Sequence, residues 1–273
     1  MLSSDALRAH LASAAPPGAV AEPGRPDGGR LDRYRLFAAR DPRALLGLEP
    51  RGRWSVVELV GLVAERCGTS PDAVAASGCR IDPARTVDAL DAFADRLGAA
   101  ARRRAAVLLG TGRPRSLLDF FGALAAALEA AGCRVLTPRQ GRGVAVPAPG
   151  GPRAHTLTAV RGVALVRGNG LPCAPDAPGA PCRSPLPLRV ALADLAAAGA
   201  GVPELVIGDH GWLCGAGQLG IDAVGPAGTA DPAPFVAEAE GTVRVAVPLD
   251  DAVARVHYLP LTRYVLNRAR LSQ

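Results

Sequence analysis

From residue 105 onward, short apolar runs alternate with segments whose apolar residues recur every three or four positions. A parallel sheet wrapped by helices produces this pattern in sequence. The first run, residues 106–110, predicts a strand. A helix is expected from Pro114, whose missing amide is tolerated at the first helical position, and Leu117, Phe121, Leu124 and Leu128 mark its apolar face. Gly132 ends it, and residues 133–137 read as the next strand. Further strands are predicted at 162–166, 204–208, 221–224 and 242–247, with helices over 186–198 and from Asp231.

Upstream the pattern is helical. Val57, Val60 and Leu62 within residues 54–67, and Val87, Leu90, Phe93 and Leu97 within 86–101, sit near helical spacing. Residues 14–30 carry Pro16, Pro17, Pro23 and Pro26, which no helix sustains. The expected fold is therefore α/β, a Rossmann-like three-layer sandwich with a mostly parallel sheet. An N-terminal helical region (1–104) packs on an α/β core (105–273). Residues 168–187, rich in proline, read as an irregular loop beside the ligand face, either a lid or a decayed insertion.

Composition narrows the chemistry. All 31 basic residues are Arg, so a Schiff-base or pyridoxal-phosphate lysine and the lysine of a P-loop are excluded. The net charge of +6 is spread thinly, its longest run being Arg102–Arg104, which reads as a solvated helix end rather than a nucleic-acid surface. No apolar stretch approaches a membrane span, and no secretory signal stands at the N-terminus, so a cytoplasmic protein is expected. The six cysteines contain no CxxC pair and read as buried thiols.

In open parallel sheets, ligands bind beyond the carboxyl ends of the strands, so the residues just after each strand are the informative ones. After the first strand come Thr111, Gly112, Arg113, Pro114, Arg115 and Ser116. Backbone amides at a helix start, a glycine allowing close approach and guanidinium groups would make an anion cradle; an ordinary turn with exposed arginines is the alternative. After strand 204–208 come Asp209, His210 and Gly211, able to supply a base, a nucleophile or metal ligands, with Trp212 as a pocket wall. Asp222, Asp231, Asp250 and Asp251 add carboxylates. Asp231 before Pro232 reads most simply as a helix N-cap, and one of Asp250 and Asp251 could ligate metal or orient His210. Of these, Asp250 is taken as the catalytic partner, and Asp209 with Asp222 as the candidate ligands of a divalent ion.

Two motif matches are set aside. Cys133 and Arg139 have the Cys-x5-Arg spacing of cysteine phosphatases, but Cys133 opens a strand instead of ending one. Gly215, Gly217 and Gly220 match GxGxxG, yet a strand-like segment follows where a dinucleotide-binding helix is required. His10, His155 and His257 read as surface or packed histidines.

The segments 31–35, 64–68, 81–90, 111–114, 209–221 and 238–251 together resemble an actinobacterial family of phosphatases, cytoplasmic α/β proteins with an N-terminal helical part. The resemblance runs nearly end to end. It implies hydrolysis of a small soluble phosphorylated metabolite, with Thr111, Gly112, Arg113, Ser116, Gly211 and Trp212 at the substrate, and Asp209, His210 and Asp250 in catalysis. Asp209, His210, Asp222, Asp231, Glu240, Asp250 and Asp251 match the family pattern. Arg113 stands where the family has histidine, and residues 169–173 replace a histidine-containing polar stretch. These departures imply a second possibility, an inactive relative that binds an anionic metabolite or a protein partner.

Overall fold

A computed structural model describes residues 3–14, 30–76, 79–146, 151–168 and 179–271. Helices α1 (Ser4–Ala14), α2 (Arg30–Ala38), α3 (Pro42–Leu45), α4 (Val56–Cys67), α5 (Pro71–Ala75) and α6 (Pro83–Arg103) precede the sheet. Then follow β1 (Ala106–Gly110), α7 (Pro114–Ala130), β2 (Arg134–Leu136), β3 (Arg142–Val146), β4 (Arg153–Val160), β5 (Val163–Gly168), α8 (Leu186–Ala197), β6 (Leu205–Gly208), α9 (His210–Gln218), β7 (Asp222–Ala227), α10 (Ala233–Ala239) and β8 (Val245–Pro248). A 3-10 turn, Arg255–Tyr258, leads into α11 (Leu259–Arg268).

The helix starts follow local chemistry. Ser55 caps α4 with a reciprocal Glu58 bond, and Asp82 caps α6 through the Ala84 amide. Gly68, at φ 65°, ends α4 in the left-handed conformation that glycine adopts most readily.

The sheet runs β3-β4-β5-β1-β6-β7-β8, with β2 paired to β1. β1 is central: β6 lies along one side, while β2 and then β5 share the other, and all three pairings are parallel. β6–β7 and β7–β8 are also parallel, whereas β3–β4 and β4–β5 are antiparallel. The sheet is thus mixed, mostly parallel, and the hairpin of β3 and β4 is absent from the sequence-derived expectation. Its strands are half exposed and interrupted by Gly143 and polar positions, so they lack the continuous apolar run of a buried parallel strand.

Every central strand divides its residues between two cores, as the two-residue repeat of a strand requires. Val107, Leu109, Leu205, Ile207, Val224, Val245 and Val247 face helices α1, α6, α7 and α11. Ala106, Leu108, Val206, Ala223 and Ala246 face α2 to α5 and α8 to α10. The N-terminal helices are divided between both faces, and the Thr86 hydroxyl on α6 donates to the Pro248 carbonyl at the end of β8 over 2.8 Å. No described helix is long and apolar enough to cross a membrane.

Candidate active site

The four loops that leave the carboxyl ends of β1, β6, β7 and β8 converge. From the end of β6, Gly208 leads into Asp209 and then His210, which starts α9 with φ 47°. Histidine is among the non-glycine residues that tolerate this left-handed geometry, at a cost of roughly 1–2 kcal/mol. The bend turns two successive side chains into one site, which an extended strand could not do.

Asp209 is fully buried and has both oxygens engaged. Oδ1 accepts the Gly112 amide over 2.7 Å, and Oδ2 lies 3.0 Å from His210 Nδ1. The other ring nitrogen, Nε2, lies 3.2 Å from Asp251 Oδ2 and 3.4 Å from Asp231 Oδ2. Burial alone would lower the pKa of His210. The Asp251 charge and the hydrogen bonds to Asp209 and Asp231 outweigh it and raise the imidazole to about 9, so it is an imidazolium at neutral pH.

Three guanidinium groups answer the carboxylates. Arg33 of α2 donates to Asp231 Oδ1, Arg183 Nε stands 3.4 Å from Asp231 Oδ2, and Arg113 Nε stands 3.7 Å from Asp251 Oδ2. Burial would raise the Asp231 carboxyl, but Arg183, His210 and Arg33 hold it well below the ordinary carboxylate range. Three carboxylates thus face three guanidiniums and one imidazolium.

Several residues singled out from the sequence stand elsewhere or act differently. The amides of Thr111, Gly112 and Arg113 are committed to the Ala164 carbonyl, Asp209 and the Thr111 hydroxyl, so this turn is not an open cradle of amides. Ser116 is buried in the first turn of α7. Gly112 does permit a close approach, but to protein: a Cβ there would stand 2.0 Å from the Cys182 carbonyl oxygen. Gly211 is pressed against Ser184 in the same way. Trp212 is 1% exposed and packs on Gly110 and Gly208 beneath the site, so it supports the floor and walls no opening.

Asp250 accepts the Ala252 amide at 2.9 Å, and its neighbour Asp251 is the carboxylate that reaches His210. The Tyr258 hydroxyl donates to the Asp250 carbonyl over 2.6 Å and fixes this loop. Asp231 is not the N-cap of α10, which is Pro232; its side chain turns to Arg33, Arg183 and His210. Asp222 begins β7, at the opposite end of the strand from the site, and pairs with Arg244 at 2.7 Å. It cannot share an ion with Asp209.

The described part of the proline-rich loop, residues 179–185, forms a strap over the site. Ala180 donates to the Val166 carbonyl and Cys182 to that of Gly112, which delivers Arg183 to Asp231. Residues 169–178, including the Asn169–Cys173 departure, lie outside the described residues. Gly112→Ala is expected to push the strap off its backbone contact and destabilise the protein by at least 1–3 kcal/mol. Gly143→Ala, with nothing within 4 Å of the added carbon, is the control. Thermal melts of both variants check the difference.

Asp209, His210 and Asp251 each offer a ligand atom, all within 4.8 Å of one another. The same atoms are paired with one another, and Asp231 and Asp251 also face guanidiniums, so a cation here would displace these pairings. Cysteine chemistry is no better placed: burial pushes the Cys182 thiol to about 11 and Cys214 well above its usual value. The GxGxxG glycines begin within α9 and end in the turn after it, away from any phosphate-binding helix start.

The sheet, with its charged cluster at the carboxyl ends of parallel strands, defines an α/β protein with a buried polar site. The chain belongs to the Phosphatase family, whose profile matches residues 2–273. It is 37% identical over 268 residues, 97% of this chain and 95% of the relative, to a protein of Streptomyces coelicolor named Phosphatase SCO2771. Family and relative support a phosphatase function. No solved structure matches the chain.

Proposed function

We propose that the chain is a phosphoric-monoester hydrolase acting on a small soluble phosphorylated metabolite, cytoplasmic, with neither nucleic acid nor membrane as partner. The observation that carries this reading is the buried His210 imidazolium, oriented by Asp209 and set among Asp231, Asp251 and the guanidiniums of Arg113 and Arg183. The use of the carboxyl ends of parallel strands is Rossmann-like in character.

In this reading Arg113 and Arg183 bind the phosphoryl oxygens and stabilise the charge that develops on them. Water attacks phosphorus in line, the ester P–O bond breaks, and the His210 Nε2 proton passes to the leaving oxygen as it takes up the electron pair. Alcohol and inorganic phosphate are the products, and solvent returns the proton to the imidazole. Asp209 acts from behind the ring: it fixes a proton on Nδ1, so that Nε2 is the nitrogen that donates. Nε2 and Asp251 Oδ2 are only 3.2 Å apart, too close to serve opposite ends of one in-line displacement. Asp251 is therefore assigned to stabilising the imidazolium.

The test is phosphate release from a panel of phosphomonoesters, with and without chelator and added Mg, Mn or Zn, beside the Asp209→Asn variant. Turnover that survives the chelator and falls at least tenfold in Asp209→Asn is expected. Strict metal dependence would remove the proton-donor assignment. No turnover on any ester, with inorganic phosphate still raising the melting temperature, would favour the inactive anion-binding relative, which the substitution at Arg113 first suggests.

A further inference from the structure

The roles assigned so far belong to the loops of the sheet, yet one member of the charged cluster comes from the N-terminal helices. Arg33 on α2 is largely buried, with 11% of its side chain exposed, and its Nε donates to Asp231 Oδ1 while Nη2 donates to the Arg43 carbonyl over 2.9 Å. The next residue, Tyr34, is fully buried and donates its hydroxyl to the Thr229 carbonyl over 2.8 Å. Two successive residues of α2 therefore grip the β7–α10 loop, one by its backbone and the other by its carboxylate.

The division of Asp231 gives this grip a chemical consequence. Oδ1 is held by Arg33, and Oδ2 faces His210 Nε2 and Arg183 Nε, each at 3.4 Å. Asp231 stands one residue before Pro232, the N-cap of α10, and its carboxylate is spent on this long-range pairing. We propose that Arg33 is a positioning residue of the active site, which fixes the Asp231 carboxylate relative to His210 and so makes the site depend on the N-terminal helices.

The inference rests on the proton-donor reading of His210, but its main readout does not require turnover. The groups facing His210 are Asp209 from the β6–α9 turn, Asp231 from the β7–α10 loop and Asp251 after β8. Behind them stand Arg113 from the β1–α7 turn, Arg183 from the strap, Arg33 from α2 and Tyr258 from the 3-10 turn. Removing Arg33 takes one positive charge from this set and frees Oδ1. Both changes favour the protonated imidazole, so its titration midpoint moves up. A stronger hold on the proton makes His210 a poorer donor.

The chain has four histidines, so the His210 ring resonance can be assigned by comparison with the His10, His155 and His257 variants. In Arg33→Met the His210 midpoint is expected to rise by about half a unit or more. If the wild type turns over a phosphomonoester, kcat should fall about tenfold with KM changed less than threefold, since the lost contact is to the proton donor and not to the phosphate. Arg33→Lys, which keeps the charge without the planar fork, should recover part of both. An unchanged midpoint in a folded Arg33→Met protein overturns the proposal, as does a loss of kcat that merely follows thermal stability. If Arg33→Met does not fold, Arg33→Gln, which removes the charge but keeps a hydrogen-bonding side chain, takes its place, and a midpoint and kcat equal to wild type reject it. A midpoint shift with no turnover by the wild type would retain the coupling and reject the hydrolase reading.

Discussion

With His210 as the proposed proton donor, phosphate release by the His210→Ala variant is expected to fall by about 10²- to 10⁴-fold, the usual range for loss of a positioned donor. In the wild type, kcat/KM is then expected to decline as pH rises through about 9, where His210 loses the proton that the proposed mechanism passes to the leaving oxygen. The alkaline limb is absent from the residual activity of the variant. A rate profile from pH 5.5 to 10 on one phosphomonoester checks both statements, and an alkaline limb that persists in the His210→Ala variant would place the proton on another group.

The same ionisation appears in stability. His210 has a folded-state pKa of about 9 against 6.5 in the unfolded chain, so the folded state binds the proton more tightly. Its contribution, about 3 kcal/mol from the difference of the two values, is fully present below about pH 6.5 and is lost as pH rises through 9. Urea denaturation at pH 6 and pH 10 should therefore show the wild type losing stability that a folded His210→Ala variant does not lose. The variant starts lower, because it leaves three buried carboxylates with one cation fewer.

What the chain discloses before folding divides by the range of the interactions involved. β1 and β6 are continuous apolar runs bounded by turns, and both lie where the runs predict; the Asp209–His210 turn follows because it directly adjoins one of them. α9 is hidden by its own composition. Gly211, Gly215 and Gly217 read as breakers, whereas in the fold Gly211 accommodates Ser184, Gly215 accommodates Pro185 and Leu188, and Gly217 accommodates the Thr242 carbonyl. Asp231 before Pro232 carries a strong local cap signal, but α10 begins one residue later, with Pro232 at the N-cap and the Asp231 carboxylate in a long-range ion pair.

The choice between Asp250 and Asp251 depends on which side of the chain faces His210 after β8, and two adjacent aspartates give no periodicity to decide it. Arg33 and Arg183 are two of 31 arginines, and only the sheet topology brings them within reach of one carboxylate. The amides of the β1–α7 turn illustrate the reverse error. A glycine beside a helix start looks like a phosphate cradle, but here the strap and Asp209 occupy the space and the donors.

Asp231→Ala should be the most destabilising single change at the site, at about 3–5 kcal/mol near neutral pH, because it leaves the Arg33 and Arg183 guanidiniums and the His210 imidazolium around a buried position without its carboxylate. The deficit depends on pH in a definite sense. Asp231 has a folded-state pKa well below the unfolded value, so its contribution is present above the unfolded pKa of about 3.9 and is lost as pH falls through the folded one. Denaturation curves should thus diverge most between wild type and Asp231→Ala near neutrality and converge in acid. Adding Arg33→Met to Asp231→Ala should recover part of the loss, since it removes one of the charges left behind, and the double-mutant coupling measures the bond between α2 and the site directly. Strict additivity of the two substitutions would show that α2 and the β7–α10 loop contribute to stability independently.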